Sequence, residues 1–557
     1  MTRPRIIHLA LGIFLFMMGS HAVSAQNVEE IIEFRKKKPF KISGSFTANA
    51  TQFSSTPKQS RQSFTYQLTG SINMSLYELL DIPLSFNLNN YGAQVSYPSL
   101  PNRLSLHPSY KWIRLHVGDV SMNFNPYTLN GHQFTGVGAE LTPGKWKISA
   151  MGGRLLKRVE ADSSNPAVRP NYERWGYGAK VRYEHDKFAF GGTFFTAKDK
   201  MEDISFEADA RGILPQGNVA LGLEGSLSII KNLKLSFEYG VSFMQRDLRI
   251  KETQDYHAFK SDLSYTFLGN SISLGYERIS PEYETLGAYY FNNDYENLTL
   301  NYGRSLFDNK LSIALSGGVQ RDDLSGDKQE SNKRFVGSAS ISYTPGERFS
   351  ASVAISSYQA HRNIKSSFDY INERTPYENL DTLRFTQLSN SIEMNLNWHV
   401  KKTDKQTHIL SANAGYQEAA DRQGDYIMPG NLTRFLNVGT NYSIDFIPAD
   451  LSLVAGVNIS NNYMSRKNVL TMGPILTCYK RLFDKAVTTG LTVSSNRTLD
   501  EGKRMADIYN VRWHASYRFL KRHGLNAGLS YQHRSLADPA RQRTSSFTSQ
   551  ISYSYSF

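Results

Sequence analysis

Period-two alternation of side-chain character constrains this chain more than any other feature. From Phe547 to Phe557 the odd positions are Phe547, Ser549, Ile551, Tyr553, Tyr555 and Phe557, while the even positions are Thr548, Gln550, Ser552, Ser554 and Ser556. Leu388, Asn390, Ile392, Met394, Leu396 and Trp398 alternate in the same way with Gln387, Ser389, Ser391, Glu393, Asn395 and Asn397. Val219, Leu221 and Leu223 and, further on, Tyr509, Val511 and Trp513 lead two more such runs. Period two puts one residue set on each face of a β-strand and cannot form the stripe of an amphipathic helix. Soluble strands average about 5–6 residues. The run from Thr386 to His399 is about twice that and matches the roughly 9–11 residues with which a strand crosses a membrane.

The connections sharpen this reading. Tight ones recur at Glu78–Asp81, Thr142–Lys145, Ile230–Asn232, Leu268–Asn270, Thr344–Glu347, Ile447–Asp450 and Leu520–His523. Between them fall the long stretches Lys157–Gly176, Lys198–Gly217, Ser280–Tyr295, Ala360–Leu383 and Glu418–Asn431. A stack of soluble sandwiches has no reason to alternate short and long loops, whereas a transmembrane barrel has short turns on one side and long loops on the other. Counting hairpins gives 26 strands within a range of 24–26, over residues 41–557. Three places weaken the count: Tyr177–Glu184 is brief, and Pro108 and Pro474 each remove a ladder donor, so each proline is expected at a bulge or strand end. The expected fold is all-β: one large antiparallel transmembrane barrel.

The N-terminus fits export. Arg3 and Arg5 precede the apolar run Ile6–Met18 and the small-residue site Val23-Ser24-Ala25, so residues 1–25 read as a cleaved signal peptide and 26–40 as a short lead-in. No cysteine stands near that site, which argues against a lipoprotein anchor. Beyond it no stretch approaches the ~20 apolar residues of a spanning helix. Mean hydropathy of −0.43 is too polar for a helical membrane protein, yet 32 Tyr and 31 Phe are too many for a disordered chain. The formal charge of +13 falls to +11 without Arg3 and Arg5, and its residues are dispersed, so it is no guide to nucleic acid.

These features, with the terminal strand SSFTSQISYSYSF, make the chain resemble a Gram-negative outer-membrane β-barrel, and its Asn/Tyr-rich loops resemble barrels of the Bacteroidota. The resemblance implies an outer-membrane location and contact with outer-membrane lipids and lipopolysaccharide, and the even strand count lets both ends of the chain lie in the periplasm. It also implies Tyr553, Tyr555 and Phe557 as the signal read by the barrel-assembly machinery.

A circular barrel of 26 strands would have a backbone diameter near 50 Å, too wide to leave unobstructed. The 15 residues of Gln26–Phe40 are too few for a plug domain. Inward-folded loops, a flattened section or a plug or secretion partner must therefore close it. Asp119–His132 is a candidate inward loop against the alternative of a surface turn. Tyr283, Tyr289, Tyr290, Phe291 and Tyr295 suit contact with a protein or glycan, or an aromatic girdle carried beyond the membrane; Ala360–Leu383, with Phe368, Tyr370 and Tyr377, poses the same choice. Parity directs Glu224, Lys234, Glu238, Glu393, Asp445, Arg512, Arg518 and Arg534 to the lumen, where mixed charge ordinarily braces a wall and less often selects ions. The run Arg35–Lys38 is a basic flank near the first strand.

Enzymatic readings find little support. The eleven histidines beyond the signal show no HExxH spacing, and there is no G-x-S-x-G elbow, Walker or Rossmann motif. Asp322–Asp327 lacks the EF-hand order, and the single cysteine, Cys478, reads as a small wall hydrophobe, so neither metal nor cofactor is expected. Two functions remain: a channel or translocation pore closed by loops or a partner, and the membrane subunit of a secretion, assembly or surface-display complex.

Overall fold

The computed structural model describes residues 39–557 apart from 60–61, 91–102, 161–169, 202–212, 290–292, 323, 327–332, 358–387, 420–421, 424–425, 428–432, 465–466 and 539–542. The signal-like segment, the basic run Arg35–Lys38, the loop Ala360–Leu383, Tyr290 and Phe291 lie outside the described residues.

The described residues form a closed antiparallel barrel of 26 strands, from Phe40–Thr56 to Thr544–Ser556, each paired with its neighbours in sequence. One of them is broken into Arg103–Leu106 and Ser109–Tyr110. The first and last strands close the sheet along a register from Ser45 opposite Ser556 to Thr56 opposite Ser545. Backbone bonds of 3.0 Å in both directions between Gly44 and Phe557 extend that seam to the last residue. Among the described residues each of the 26 barrel strands is paired on both sides, so the barrel has none of the open edges that a sheet of this length would otherwise expose.

Unbroken strands run from 8 to 17 residues. The twelve connections at one end contain two to four residues. Their backbone turns sharply through left-handed residues, among them Gly144 and Gly269, where glycine carries no Cβ penalty. At the other end the connections are mostly longer, with two exceptions: 465–466 and the turn at Glu501-Gly502. Both chain ends of the barrel lie at the tight-turn end.

The two faces separate as alternation requires. In Gly217–Ile230, Val219, Leu221, Leu223, Leu227 and Ile229 are exposed on the outside, whereas Asn218, Ala220 and Glu224 are buried inside. In Lys503–Phe519, Tyr509, Val511, Trp513 and Tyr517 face out, opposite Asn510, Arg512, His514 and Arg518. Cys478 lies on the outer face beside Leu476, as a small exposed hydrophobe.

The two prolines behave differently from each other. Pro108 breaks its strand in two. Pro474 neither bulges nor ends one: it sits inside Lys467–Leu482, opposite Val457. Towards Val487–Asp500 two pairs drop out between Met472–Arg497 and Ile475–Ser494, but the register carries through unchanged. A single missing donor in a 16-residue strand is absorbed by the bonds on either side of it.

Candidate functional site

The lumen is not lined evenly. Residues 124–129, which join Ile113–Asn123 to Asn130–Leu141, fold inward and lie against the inner face of the wall. Three inward-facing glycines make the room. A Cβ on Gly178 would stand 2.8 Å from the Phe124 ring, one on Gly222 3.2 Å from Asn125 and Thr128, and one on Gly240 2.3 Å from the Tyr127 Cβ. Gly222 and Gly240 are direct cross-strand partners, so together they form a trough.

A second segment, 280–289, locks the first. The Tyr283 hydroxyl donates to the Tyr127 carbonyl at 2.5 Å, and the two rings meet edge to face at 6.2 Å. The Thr285 hydroxyl lies 2.9 Å from the Thr128 carbonyl, and the Asn130 amide donates to the Gly287 carbonyl at 2.9 Å. Asn218 ties both to the wall: its Oδ1 accepts from the Leu286 amide at 3.2 Å, and its Nδ2 donates to Ser242 Oγ at 2.7 Å. Tyr127, Leu129, Tyr283, Phe195 and Met244 are almost completely buried here, forming an apolar core inside the barrel. Each such side chain contributes roughly 1.5–3 kcal/mol by leaving water.

The Tyr127 phenol donates to Glu277 Oε1 at 2.9 Å. Burial, then the neighbouring Glu277 charge, pushes its pKa far above the usual tyrosine value, and burial does the same to Tyr283. Both rings therefore stay neutral, as buried hydrogen-bonded groups should.

Charges brace the wall beneath. Glu224, 6% exposed, accepts from Lys180 Nζ at 2.8 Å and Arg182 Nη1 at 2.6 Å, and Lys180 also donates to the Phe124 carbonyl of the inward segment. Arg174 clamps Asp199 through two bonds, of 2.7 and 2.9 Å. Lys234 and Glu238 join Arg182, Glu224, Lys260 and Asp262 around one recess of about 200 Å³. The six strands from Arg174–Glu184 to Asn270–Ile279 contain seven cations and seven carboxylates.

Halfway round the strand order the wall is different. The seven contiguous strands from Lys467–Leu482 through the closing seam to Phe64–Leu76 contain ten cations but only two carboxylates, Asp500 and Asp507. Asp507 is held by Arg497 and Arg504. Arg512 borders a recess of about 180 Å³, while Arg518 and Arg534 share its inward parity on their strands. Glu393 and Asp445 occupy inward positions on strands between the two walls, away from both recesses.

Of the loop aromatics, Tyr283 is wholly buried, which corrects its expected place on a contact surface: its ring is packing inside the lumen. Tyr289 is exposed and stacks on His132 at 4.2 Å, with its hydroxyl accepting from the Gln133 amide at 3.1 Å. Tyr295 packs on the edge of the inner core. Tyr553 and Tyr555 gather round His523, and Tyr555 stacks with Phe557. The sequence reading missed Asn218 and Thr285, since polar pins show no periodicity. Gly222 and Gly240 offered a signal, as two glycines at inward parity on consecutive strands.

No protein-family model matches the chain, and no curated protein matches it significantly. Solved structures match at the level of overall form. The P pilus usher PapC translocation pore is 10% identical over 93% of this chain and 99% of that one, with a TM-score of 0.41. The siderophore receptor PirA from Pseudomonas aeruginosa is 13% identical over 93% and 80%, with a TM-score of 0.36. A porin mutant of Rh. blastica covers 54% of this chain and 98% of its own, at 10% identity and a TM-score of 0.27. The chain is similar to these in being a β-barrel, and function has to be argued from its own residues.

Proposed function

We propose that this protein is an integral outer-membrane barrel of a Gram-negative bacterium, forming a channel or translocation pore that its own inward segment narrows. The observation that carries this reading is the pinning of residues 124–129 and 280–289 inside the lumen, beneath an outer face of exposed apolar side chains. A partly filled polar lumen limits the size of what passes, and inward loops do this without a separate plug. On this reading the tight-turn end, with both chain ends, faces the periplasm after signal cleavage, and the long loops face outward among lipopolysaccharide. Tyr553, Tyr555 and Phe557 would present the terminal strand to the assembly machinery. The protein would act as a passive conduit, with no catalytic step and no cofactor.

A second reading is favoured by the strand count: a 26-stranded wall is wide enough to hold a polypeptide or a plug protein, as the membrane subunit of a secretion, assembly or surface-display complex. Planar-bilayer recording of the purified protein separates the two. Discrete conductance steps, enlarged when the inward segment is released, support the self-narrowed channel. A silent protein that co-purifies from native membranes with a stoichiometric partner supports the complex and overturns the channel.

A further inference from the structure

The wall opposite the inward segment has the chemistry of a binding site. Its recess is lined by Ile475, Tyr479, Thr477, Thr492, Asn510 and Arg512. The threonine hydroxyls lie 3.1 Å apart, and Asn510 is held between Ser494, at 3.1 Å, and Gln532, at 2.9 Å. Gly490 leaves room beside the recess for the rings of Tyr479 and His514, whose centroids are 5.5 Å apart; a Cβ there would stand 2.3 Å from His514 Cε1.

At about 180 Å³ the recess is smaller than the roughly 300–1,000 Å³ pockets that enclose a whole small molecule, so it suits one ring of a longer chain. An aromatic face takes the C–H side of a sugar ring, while hydroxyl and amide groups take its hydroxyls. The guanidinium adds a planar fork that matches a carboxylate. Six residues along the same strand, about 20 Å away, stands Arg518. Arg534, opposite Ile508, lies about 13 Å in the other direction. This spacing is too sparse for nucleic acid, whose duplex carries a charge every ~1.7 Å. It fits a polymer that presents an occasional carboxylate among many hydroxyls.

We propose that the arginine wall binds an acidic oligosaccharide, with one ring seated on Tyr479 and its carboxylate on Arg512. The proposal deepens the channel reading by naming a substrate class, so binding is measured apart from conduction. Titration calorimetry on the full detergent-purified chain would use oligogalacturonate, maltooligosaccharide of equal length and inorganic phosphate as probes. The acidic sugar should bind about tenfold more tightly than the neutral one, as expected for loss of a charged hydrogen bond, and phosphate not measurably. Arg512→Gln should abolish the preference for the acidic sugar, whereas Tyr479→Ala should weaken both sugars. Equal binding of both sugars, equal binding of phosphate, or no saccharide binding would overturn the site. Binding by a protein that never conducts would uphold the site while removing the channel.

Discussion

Two walls of one sheet, built from the same alternating strands, use charge in opposite ways. Over both faces, the strands of the braced wall hold seven cations and seven carboxylates, and Glu224, Lys180 and Arg182 are tied to one another and to the inward segment. Over both faces, the strands of the arginine wall hold ten cations and two carboxylates, and Arg512, Arg518 and Arg534 stand at inward parity there. Buried charge has to be paired, so the wall that is covered by protein is also the balanced one. An excess of one sign persists where water can reach it.

Substitutions of one kind should therefore give unequal results on the two walls. Glu224→Ala leaves Lys180 and Arg182, 18% and 25% exposed at the side chain, without their shared partner. It is expected to cost about 3–5 kcal/mol, read as a lowered urea midpoint in detergent. Tyr283→Ala removes a wholly buried ring and its bond to Tyr127, a loss of about 3–5 kcal/mol concentrated in the inward segment. Limited proteolysis should then cut near residues 124–129, and channel conductance should rise.

The same segment should be sensitive to alkali. The pKa values of Tyr127 and Tyr283 are raised in the folded state. Their contribution is complete below the ordinary tyrosine pKa of about 10 and is lost as pH rises from there towards the raised values. Conductance should thus increase above about pH 10 in wild type, and Tyr283→Ala should flatten the response; an unchanged profile in that variant would count against the pinning. On the arginine wall Gly490→Ala crowds His514 and should cost roughly 1–3 kcal/mol, mainly disturbing the rings of His514 and Tyr479. Arg512→Gln should change stability least, by about 0.5 kcal/mol or less, while shifting ion selectivity away from anions. A midpoint shift in Arg512→Gln as large as that in Glu224→Ala would erase the distinction between the walls.

Most of the fold was legible because a barrel writes itself into sequence as parity and loop length. Val219, Leu221 and Leu223 alternate with Asn218, Ala220 and Glu224, and the outer and inner faces follow directly. Pro474 was misread because its effect depends on how many neighbouring bonds remain, a property of two strands together. The inward loop was suggested by its aromatic and Asn/Pro content, but its anchors were not: Tyr283 lies 156 residues away from Tyr127, and nothing in either local sequence shows that they meet. Arg512, Arg518 and Arg534 were each placed at inward parity. They lie on two consecutive strands, whereas the carboxylate-poor tract around them emerges only when the closing seam joins the last strand to the first.

The central contrast, one wall covered and the other open, is tested most directly by thiol labelling. With Cys478→Ala as background, Ala220→Cys and Ser530→Cys place one thiol beneath the inward segment and one on the row of Arg512. A membrane-impermeant thiol reagent should label position 530 rapidly and leave position 220 protected until Tyr283→Ala is added. Equal labelling of the two positions in the otherwise unaltered barrel would contradict it.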